Sequence, residues 1–353
     1  LMKKIIHVSN FNLIRLKGCF QVGFPFKISN GLIRNGYSVL NYPDRDLCRM
    51  FGFGHMNFIG RNRLNKHLIN FCKVTEPDAI LIGHADLISN ETLFEIKRLF
   101  PALKIMQWSC DWIVPGYAER NIKAVSSRLE AVDMTLISTG DRNLLQQFKR
   151  PGKAVGYLPN MADDSLETGR AFEHKELPYD MMLCANTGKR QFCGRDEELE
   201  SIIDEADRRV PGLKWKLAGI KNTPALNGYA YIKALGESAM GFNLSRLNDI
   251  YLYSSDRMVH AMANGQLTFL DRRNGFQDLF SEEEAVFYET PDEFYDKLKF
   301  YKNNPQARMK IAAAGHEKIH REYSNVAVTK YMAELLFGEK TSAPRPWQIL
   351  LKD

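Results

Sequence analysis

Residues 254–270 read Ser-Ser-Asp-Arg-Met-Val-His-Ala-Met-Ala-Asn-Gly-Gln-Leu-Thr-Phe-Leu. This pattern predicts a short polar loop, an amphipathic helix over residues 256–264, a turn at Gly265 and then a buried strand. Glycine suits the left-handed position that ends a helix, and an acidic first residue suits the positive end of the helix dipole. The loop-to-helix junction would present backbone N–H groups to an anion, and Arg257 and His260, one turn apart, would add side-chain donors. The segment is therefore typical of a phosphate site in a doubly wound α/β domain.

Apolar runs alternate with helical patterns in two successive series, which indicates parallel sheets covered on both faces. The first series predicts strands at 4–9, 38–42, 79–83, 104–108, 133–137 and 154–157, and helices at 24–35, 61–73, 90–100 and 118–129. The second series predicts strands at 181–185, 214–218, 240–244, 267–270 and 285–287. A turn-rich break at residues 158–163 separates the two series, so we expect two domains, each large enough for its own core.

Residues 254–265 resemble the pattern Ser-x-x-Arg-x-x-Glu-Ala-x-Ala-x-Gly of the CgeB-like branch of the GT-B glycosyltransferases. The likeness extends over roughly residues 155–335. It is also carried by Tyr179-Asp-Met-Met-Leu-Cys-Ala-Asn186, Gly241-Phe-Asn-Leu-Ser-Arg246, Phe276-Gln-Asp-Leu-Phe280 and Thr290-Pro-Asp-Glu-Phe-Tyr-Asp-Lys-Leu298. One position departs from the pattern: His260 stands where the family has an acidic residue that commonly holds the donor ribose.

The resemblance implies a GT-B fold, in which two Rossmann-like domains face a central cleft. Residues 1–160 would form the acceptor-binding domain and residues 161–325 the domain that binds a nucleotide-sugar. Residues 326–353 would form a helix and tail that return to the first domain. In such sheets, ligands bind at the carboxyl ends of the strands.

Cations and polar residues follow the predicted strands of the second domain. A departing nucleotide gains negative charge in the transition state, so positive side chains at these strand ends suit a donor site. The predicted donor-binding residues are Gly188, Lys189, Arg190, Asn243, Ser245, Arg246, Arg257 and His260.

Candidate catalytic residues follow two strands of the first domain. His84 and Asp86 come after the strand at 79–83, and Asp111 comes after the strand at 104–108. An inverting transferase needs one general base within hydrogen-bond reach of the acceptor hydroxyl. Asp111 and His84 are both candidates for that base, and Asp86 is a third acid at the same edge.

Charge is unevenly distributed along the chain, whose formal net charge is +6. Residues 1–160 carry 22 Lys and Arg against 12 Asp and Glu, a net charge of +10, so the remainder has a net charge of −4. A basic first domain favours an anionic partner, either a phosphorylated acceptor or an anionic membrane surface. Arg15, Lys17 and Gly18 would form an acceptor or phosphate loop. Nucleic acid is disfavoured, because no helix-turn-helix, zinc-finger or RNP-like pattern accompanies the charge.

No metal or cofactor is expected. The six cysteines are scattered without a C-x-x-C pair, which favours buried thiols in a reducing compartment. The segment Asp44-Arg-Asp46 matches the D-x-D cation motif of a different transferase fold, and we interpret the match as coincidence. No apolar run approaches the roughly 18 residues of a membrane span, and no signal-like segment opens the sequence, so a cytoplasmic protein is expected.

These observations predict a glycosyltransferase that moves a sugar from a nucleotide-sugar to a glycan or lipid-linked acceptor without a metal ion. Bacterial surface polysaccharide synthesis, such as lipopolysaccharide or capsule, would supply such acceptors, with the basic domain in peripheral contact with the inner face of the membrane. Two alternatives stay open: a nucleotide-sugar epimerase, and a catalytically silent nucleotide- or glycan-binding protein of the same fold.

Overall fold

A computed structural model describes residues 2–14, 23–52, 57–339 and 344–352 of the chain, with the backbone alone at 57 and 58. The chain divides into two compact units. Unit 1 comprises Leu1–Pro159 and Asn325–Asp353, and unit 2 comprises Asn160–Ser324. Each unit contains a parallel sheet with helices between its strands, which confirms the predicted α/β class.

The elements follow one another in regular strand–helix alternation. The strands are β1 (Lys4–Ser9), β2 (Ser38–Pro43), β3 (Ala79–Gly83), β4 (Lys104–Ser109), β5 (Met134–Ile137), β6 (Ala154–Tyr157), β7 (Tyr179–Cys184), β8 (Lys189–Phe192), β9 (Arg195–Glu198), β10 (Trp215–Ala218), β11 (Ser238–Phe242), β12 (Leu267–Asp271), β13 (Val286–Tyr288) and β14 (Leu350–Leu351). The helices are α1 (Phe24–Arg34), α2 (Asp44–Phe51), α3 (Asn57–Thr75), α4 (Asn90–Leu99), α5 (Glu119–Ser126), α6 (Arg142–Gln146), α7 (Leu199–Arg209), α8 (Tyr229–Gly236), α9 (Arg257–Ala263), α10 (Pro291–Asn303), α11 (Pro305–Glu322) and α12 (Asn325–Phe337).

The sheet of unit 1 has the strand order β14-β6-β5-β4-β3-β1-β2. Strands β1 to β6 pair in parallel, and β14 pairs antiparallel with β6. Strand β3, with the sequence Ala-Ile-Leu-Ile-Gly, is buried along its whole length, as expected for a central parallel strand with helices on both faces. Because β3 and β4 are parallel neighbours, the residues that follow them emerge at the same edge of the sheet.

Helix α12 and the tail after it complete unit 1. Helix α1 approaches α12 so closely that a Cβ on Gly31 would lie 2.3 Å from the carbonyl oxygen of Asn325. The ring of Trp347 is fully buried and packs edge-on against Tyr331, with ring centroids 5.3 Å apart. The tail then adds β14 to the sheet edge, so it contributes both core packing and a strand.

Replacing Trp347 with alanine should destabilise unit 1 by about 3–5 kcal/mol, because the change removes a fully buried indole and leaves a cavity. Urea unfolding of the full chain, followed by tryptophan-independent circular dichroism, measures the effect. The variant Trp347→Phe keeps an aromatic ring against Tyr331 and should lose less. A loss below about 1 kcal/mol in Trp347→Ala would show that the tail is not part of the cooperative core.

The sheet of unit 2 has the order β10-β7-β11-β12-β13 and is parallel throughout. Aromatic side chains fill its core: the ring of Phe294 stacks on Phe242 at a centroid distance of 4.6 Å and meets Phe269 edge-on. A separate antiparallel hairpin, β8–β9, lies beside the sheet, and the Gln191 N–H donates to the carbonyl oxygen of Arg246 at 2.9 Å. The hairpin is thus attached to the segment that follows β11.

The structure differs from the sequence-based prediction at several places. Lys189 and Arg190, which were expected to follow the strand at 181–185, begin a strand of their own, β8. The hairpin was missed because β9, Arg-Asp-Glu-Glu, is entirely charged and largely exposed, and so has no apolar signal. Helix α2 was also missed, because it follows β2 without an intervening loop.

Among the described residues, no helix has the length and apolar character needed to span a bilayer.

Candidate functional site

Three arginines of unit 2 lie close together. Burial, together with the positive charges of Arg246 and Arg257, lowers the pKa of the Arg190 guanidinium to about 10. Within the part of the chain that the structure describes, none of the three forms an ion pair. Arg190 is buried, Arg257 is half-buried and Arg246 is exposed. Placing two further cations beside a buried guanidinium without a carboxylate is unfavourable unless an anion joins them. We call Arg190, Arg246 and Arg257 the arginine cluster.

Backbone carbonyls fix two members of the cluster. The Arg190 guanidinium donates to the carbonyl oxygens of Asn186, at 2.7 Å, and Lys189, at 2.9 Å. Arg257 is the first residue of α9, and its Nη2 donates to the carbonyl oxygen of Leu244 at 3.1 Å. In both side chains Nε is buried and has no hydrogen-bond partner. These two guanidinium groups are therefore held in place with an N–H still to donate.

Further unsatisfied polar atoms lie in the segments that follow β11. Asn243 is buried, and both its amide oxygen and its amide nitrogen lack a partner, as does the hydroxyl of Ser255. Ser245 holds this loop, since its Oγ accepts from the Ser255 N–H at 3.2 Å. Buried polar groups in folded proteins are nearly always hydrogen-bonded, so this group is best explained by a polar ligand.

His260 lies deeper in unit 2 than was expected for a phosphate donor. Its side chain is 4% exposed, its Nδ1 is 3.1 Å from the Tyr231 hydroxyl, and its Nε2 is 3.7 Å from a carboxylate oxygen of Glu167. Glu167 is also buried and accepts from the Asp163 N–H at 2.7 Å. A carboxylate from a distant segment thus contacts the histidine that replaces the family's acid. Glu167 was not predicted as a site residue, because it lies in a polar stretch without periodicity.

The other predicted features of the donor site differ in exposure and in backbone conformation. Lys189 is exposed at the start of β8, and Gly188 before it has φ +106°, a conformation that favours glycine. Gly265 has φ +79°, the left-handed geometry expected at the end of α9. Asp256 precedes α9 without a side-chain capping bond. Since α9 has only seven residues, the arginine side chains are the stronger anion ligands at this junction.

Unit 1 contains a cavity of about 570 Å³ at the carboxyl ends of β3 and β4, next to the start of α4. All three predicted catalytic residues, His84, Asp86 and Asp111, line it. Four arginines also line it: Arg45, Arg61, Arg120 and Arg128. This volume is in the usual range for small-molecule sites. The structure thus brings the candidate bases and a group of cations to one place, which we call the unit 1 cavity.

The four arginines of the cavity differ in their partners. Arg45 pairs with Asp86 at 3.0 Å, which leaves that carboxylate less suited to act as a base. Arg128 donates to the carbonyl oxygens of Ala85 and Ile88, and burial lowers its pKa. Over the described ranges, Arg61 and Arg120 have no carboxylate partner. These two are available for an anionic ligand.

Asp111 and His84 are adjacent in the cavity. A carboxylate oxygen of Asp111 is 3.7 Å from Nδ1 of His84, and their side chains are 46% and 30% exposed. His84 has φ +52°, which is uncommon for a residue with a Cβ and is found at functional sites. Both groups reach solvent, as an acceptor base must.

A buried histidine lies beneath the cavity. Trp108 Nε1 donates to Nε2 of His7 at 3.1 Å, so His7 carries its proton on Nδ1, which donates to the Ser29 hydroxyl at 2.8 Å. Ser29 in turn donates to the Asn41 side chain. Burial lowers the pKa of His7 to about 3. The imidazole is therefore neutral and holds Trp108, whose ring packs against His84 at a centroid distance of 5.3 Å.

The contribution of His7 to the stability of unit 1 should fall as the pH drops below about 6.5. His7 takes up a proton in the unfolded chain below that pH but stays neutral in the folded chain down to about pH 3. The unfolded state therefore binds more protons at this residue, which costs about 2 kcal/mol between pH 6.5 and pH 5. The raised pKa of Asp44 in the folded chain offsets part of this loss. Urea unfolding at several pH values measures this loss. In His7→Asn, which keeps a donor near Ser29, the slope over this range should be flatter; an unchanged slope would assign the pH dependence to other groups.

The Asp44–Asp46 segment, which matches the D-x-D motif, contributes contacts within unit 1. Asp44 and Asp46 are both buried: Asp46 accepts from the Leu13 N–H at 2.7 Å and from Arg49, and burial raises the pKa of Asp44 to about 6. These contacts lie within unit 1, and the interpretation of the D-x-D match as coincidence stays a prediction. The predicted phosphate loop, with Arg15, Lys17 and Gly18, lies outside the described residues.

Residues 190–334 match the model of a family described as glycosyl transferase-like. No curated protein matches the sequence significantly. Among solved structures, the chain is similar to sucrose-phosphate synthase from Thermosynechococcus elongatus, with 11% identity, a TM-score of 0.64 and coverage of 96% of this chain and 100% of that one. It is also similar to Anabaena HepE in complex with UDP and glucose, with 10% identity, a TM-score of 0.61 and coverage of 95% and 100%.

A glycosyltransferase from Rickettsia africae is similar to the same degree, with 10% identity, a TM-score of 0.61 and coverage of 97% of this chain and 100% of that one. At such identities the structural likeness shows the fold alone. The family match points to the activity class, and it includes all three residues of the arginine cluster. The two-unit fold is thus the GT-B fold, and the match over residues 190–334 supports a glycosyltransferase.

Proposed function

We propose that the protein transfers a sugar from a nucleoside diphosphate sugar, held by unit 2, to an anionic glycan or lipid-linked acceptor, held by unit 1. The observation that carries the proposal is the arginine cluster, in which three cations lie together without a carboxylate partner among the described residues. The complex of HepE with UDP and glucose supports a uridine diphosphate sugar as the first donor to try.

In the donor site, side chains would stabilise the negative charge of the leaving diphosphate. As the bond between the anomeric carbon and the diphosphate breaks, negative charge accumulates on the phosphate oxygens. Arg190 and Arg257, fixed by backbone carbonyls and each with an unused Nε–H, would stabilise that charge without reorganisation. Asn243 and Ser255 would hydrogen-bond the nucleoside or the sugar.

The acceptor hydroxyl would lose its proton to Asp111, or to His84 beside it, and its oxygen would then attack the anomeric carbon. Arg61 and Arg120 in the same cavity favour an acceptor that carries a phosphate or carboxylate group. Phosphorylated glycan intermediates and lipid-linked precursors of bacterial surface polysaccharides have this chemistry. The net charge of +10 over residues 1–160 would support peripheral contact with an anionic membrane face from the cytoplasm.

The transfer should not need a divalent cation, because the arginine cluster supplies the positive charge that a metal ion would otherwise provide. Treating the enzyme with EDTA should not lower the initial transfer rate by more than about twofold. A loss of more than about tenfold that Mg²⁺ restores would contradict the proposed donor chemistry.

Two measurements on the full chain test the proposal. Thermal unfolding with UDP, GDP and CDP should show stabilisation by one nucleotide diphosphate at concentrations above its dissociation constant. Release of that nucleotide from the matching nucleotide-sugar should be slow without an acceptor and faster with a phosphorylated glycan acceptor. Stabilisation without nucleotide release would favour a silent binding protein. Conversion of the sugar without nucleotide release would favour an epimerase.

A further inference from the structure

We propose that His84, Cys110 and Asp111 form a binding site for a thiophilic divalent cation of the zinc class. Each residue offers one ligand atom, and the three atoms lie within 4.8 Å of one another. All three residues belong to unit 1, whereas the predicted donor residues belong to unit 2. The site combines sulfur, nitrogen and oxygen ligands. We call these three residues the unit 1 triad.

The distances suit zinc after a small adjustment. A tetrahedral Zn²⁺, with Zn–S near 2.3 Å and Zn–N near 2.0–2.1 Å, places its sulfur and nitrogen ligands about 3.5 Å apart. In the structure, Sγ of Cys110 is 3.4 Å from Nε2 of His84. A carboxylate oxygen of Asp111 lies 3.7 Å from Nδ1, the other ring nitrogen of His84. Because the three ligand atoms already lie within 4.8 Å of one another, a small rotation of the exposed Asp111 side chain would bring its carboxylate to the metal as the third ligand.

The fold itself brings the triad together. His84 follows β3, and Cys110 and Asp111 follow β4, its parallel neighbour, so residues 26 positions apart emerge side by side. The left-handed backbone of His84 and the packing of its ring on Trp108 fix the imidazole. The main chain of Asp111 is held by Ser109 and Ser138, at 3.4 and 3.5 Å. Preorganised ligands of this kind raise metal affinity.

The ligand types favour zinc over a harder cation. Thiolate and imidazole select Zn²⁺ from the common divalent ions, whereas Mg²⁺ and Ca²⁺ prefer oxygen ligands alone. His84 and Asp111 are partly exposed, so an ion can enter, and three protein ligands leave a fourth position for water. A bound ion would also occupy the atoms of His84 and Asp111 that are needed to accept a proton. Zinc would therefore inhibit transfer, and this consequence alone rests on the proposed function.

The test uses the full chain, freed of metal with a chelator. Titration with Co²⁺ should give a near-ultraviolet thiolate-to-cobalt absorption band that saturates at one equivalent, and Zn²⁺ should abolish the band. Cys110→Ser should remove the band and weaken Zn²⁺ binding by more than about 100-fold, since changes outside the ligands already cost 10–100-fold. His84→Ala should weaken binding similarly. Cys184→Ser, a partly buried thiol of unit 2, is the matched control and should bind as the wild type does.

Absence of the cobalt band, or equal Zn²⁺ affinity in Cys110→Ser and the wild type, would overturn the proposal. Zn²⁺ should also slow alkylation of Cys110 by iodoacetamide, and unprotected alkylation would argue for a reactive thiol instead. Where transfer activity is measured, Zn²⁺ should inhibit the wild type but not Cys110→Ser. The metal-binding measurements need no transfer activity, so their outcome is independent of the proposed function.

Discussion

Replacing Asp111 with asparagine should lower the rate of sugar transfer by about 10²–10⁴-fold while nucleotide binding stays unchanged. The carboxylate faces the unit 1 cavity, is 46% exposed and lies beside His84, so it is placed to accept the proton of an acceptor hydroxyl. Loss of a general base typically costs this factor. Initial rates of acceptor-dependent nucleotide release, with nucleotide affinity measured in parallel, separate the chemical step from donor binding.

Three further variants serve as comparisons for Asp111→Asn. Asp86→Asn should have a smaller effect, because the Asp86 carboxylate is already paired with Arg45. Glu95→Gln, on the outer face of α4 and paired with Arg98, is a surface control and should behave as the wild type does. If Asp111→Asn keeps more than about a tenth of the activity and His84→Gln loses it, the base is His84.

Replacing Arg257 with alanine should lower the transfer rate by about 10²–10³-fold and weaken binding of the nucleotide diphosphate. The expected size is that of removing one preorganised donor from the developing charge. Arg257 is fixed by the Leu244 carbonyl and has an unsatisfied Nε, so its loss removes both charge and directed hydrogen bonds. Calorimetric titration with UDP and initial rates measure the two effects.

Arg257→Lys should recover part of the affinity, since it restores the charge but not the planar set of donors. Arg208→Ala is the matched control: this arginine belongs to the same unit, lies exposed on α7 and pairs with Glu205. Nucleotide affinity equal to that of the wild type in Arg257→Ala would remove the arginine cluster from the donor site.

The sequence predicted the two sheets well because their strands are continuous apolar runs. It also placed His84 and Asp111 at neighbouring strand ends, since parallel order follows from strand–helix alternation. The segment Arg195–Glu198 could not be predicted as a strand, because its side chains carry no apolar periodicity. Strand β14 was missed for a related reason: two residues are too few for a pattern, and their partner β6 lies almost two hundred residues earlier.

The residues that make up the candidate sites could not all be predicted from the sequence, for different reasons. The arginines of the unit 1 cavity are spread over α2, α3 and α5 and the segment after α5, so no local motif contains them. The contact between Glu167 and His260 spans 93 positions, and Glu167 lies in a polar stretch that resembles a loop. The proximity of Cys110 to His84 depends on a strand order that the alternation predicts, but the side-chain distances depend on the unusual backbone of His84.

The discontinuity of unit 1 has a consequence for the nascent chain. Residues 1–159 leave the ribosome first, but α12 and β14, which cover α1 and β6, follow only after the 165 residues of unit 2. At roughly 5–20 residues per second, the early segment waits about ten to thirty seconds with one sheet edge and one helix face unprotected. Unit 2, being contiguous, can complete its own folding within that interval. Chaperones that recognise exposed apolar surface would therefore meet the amino-terminal segment during synthesis rather than unit 2.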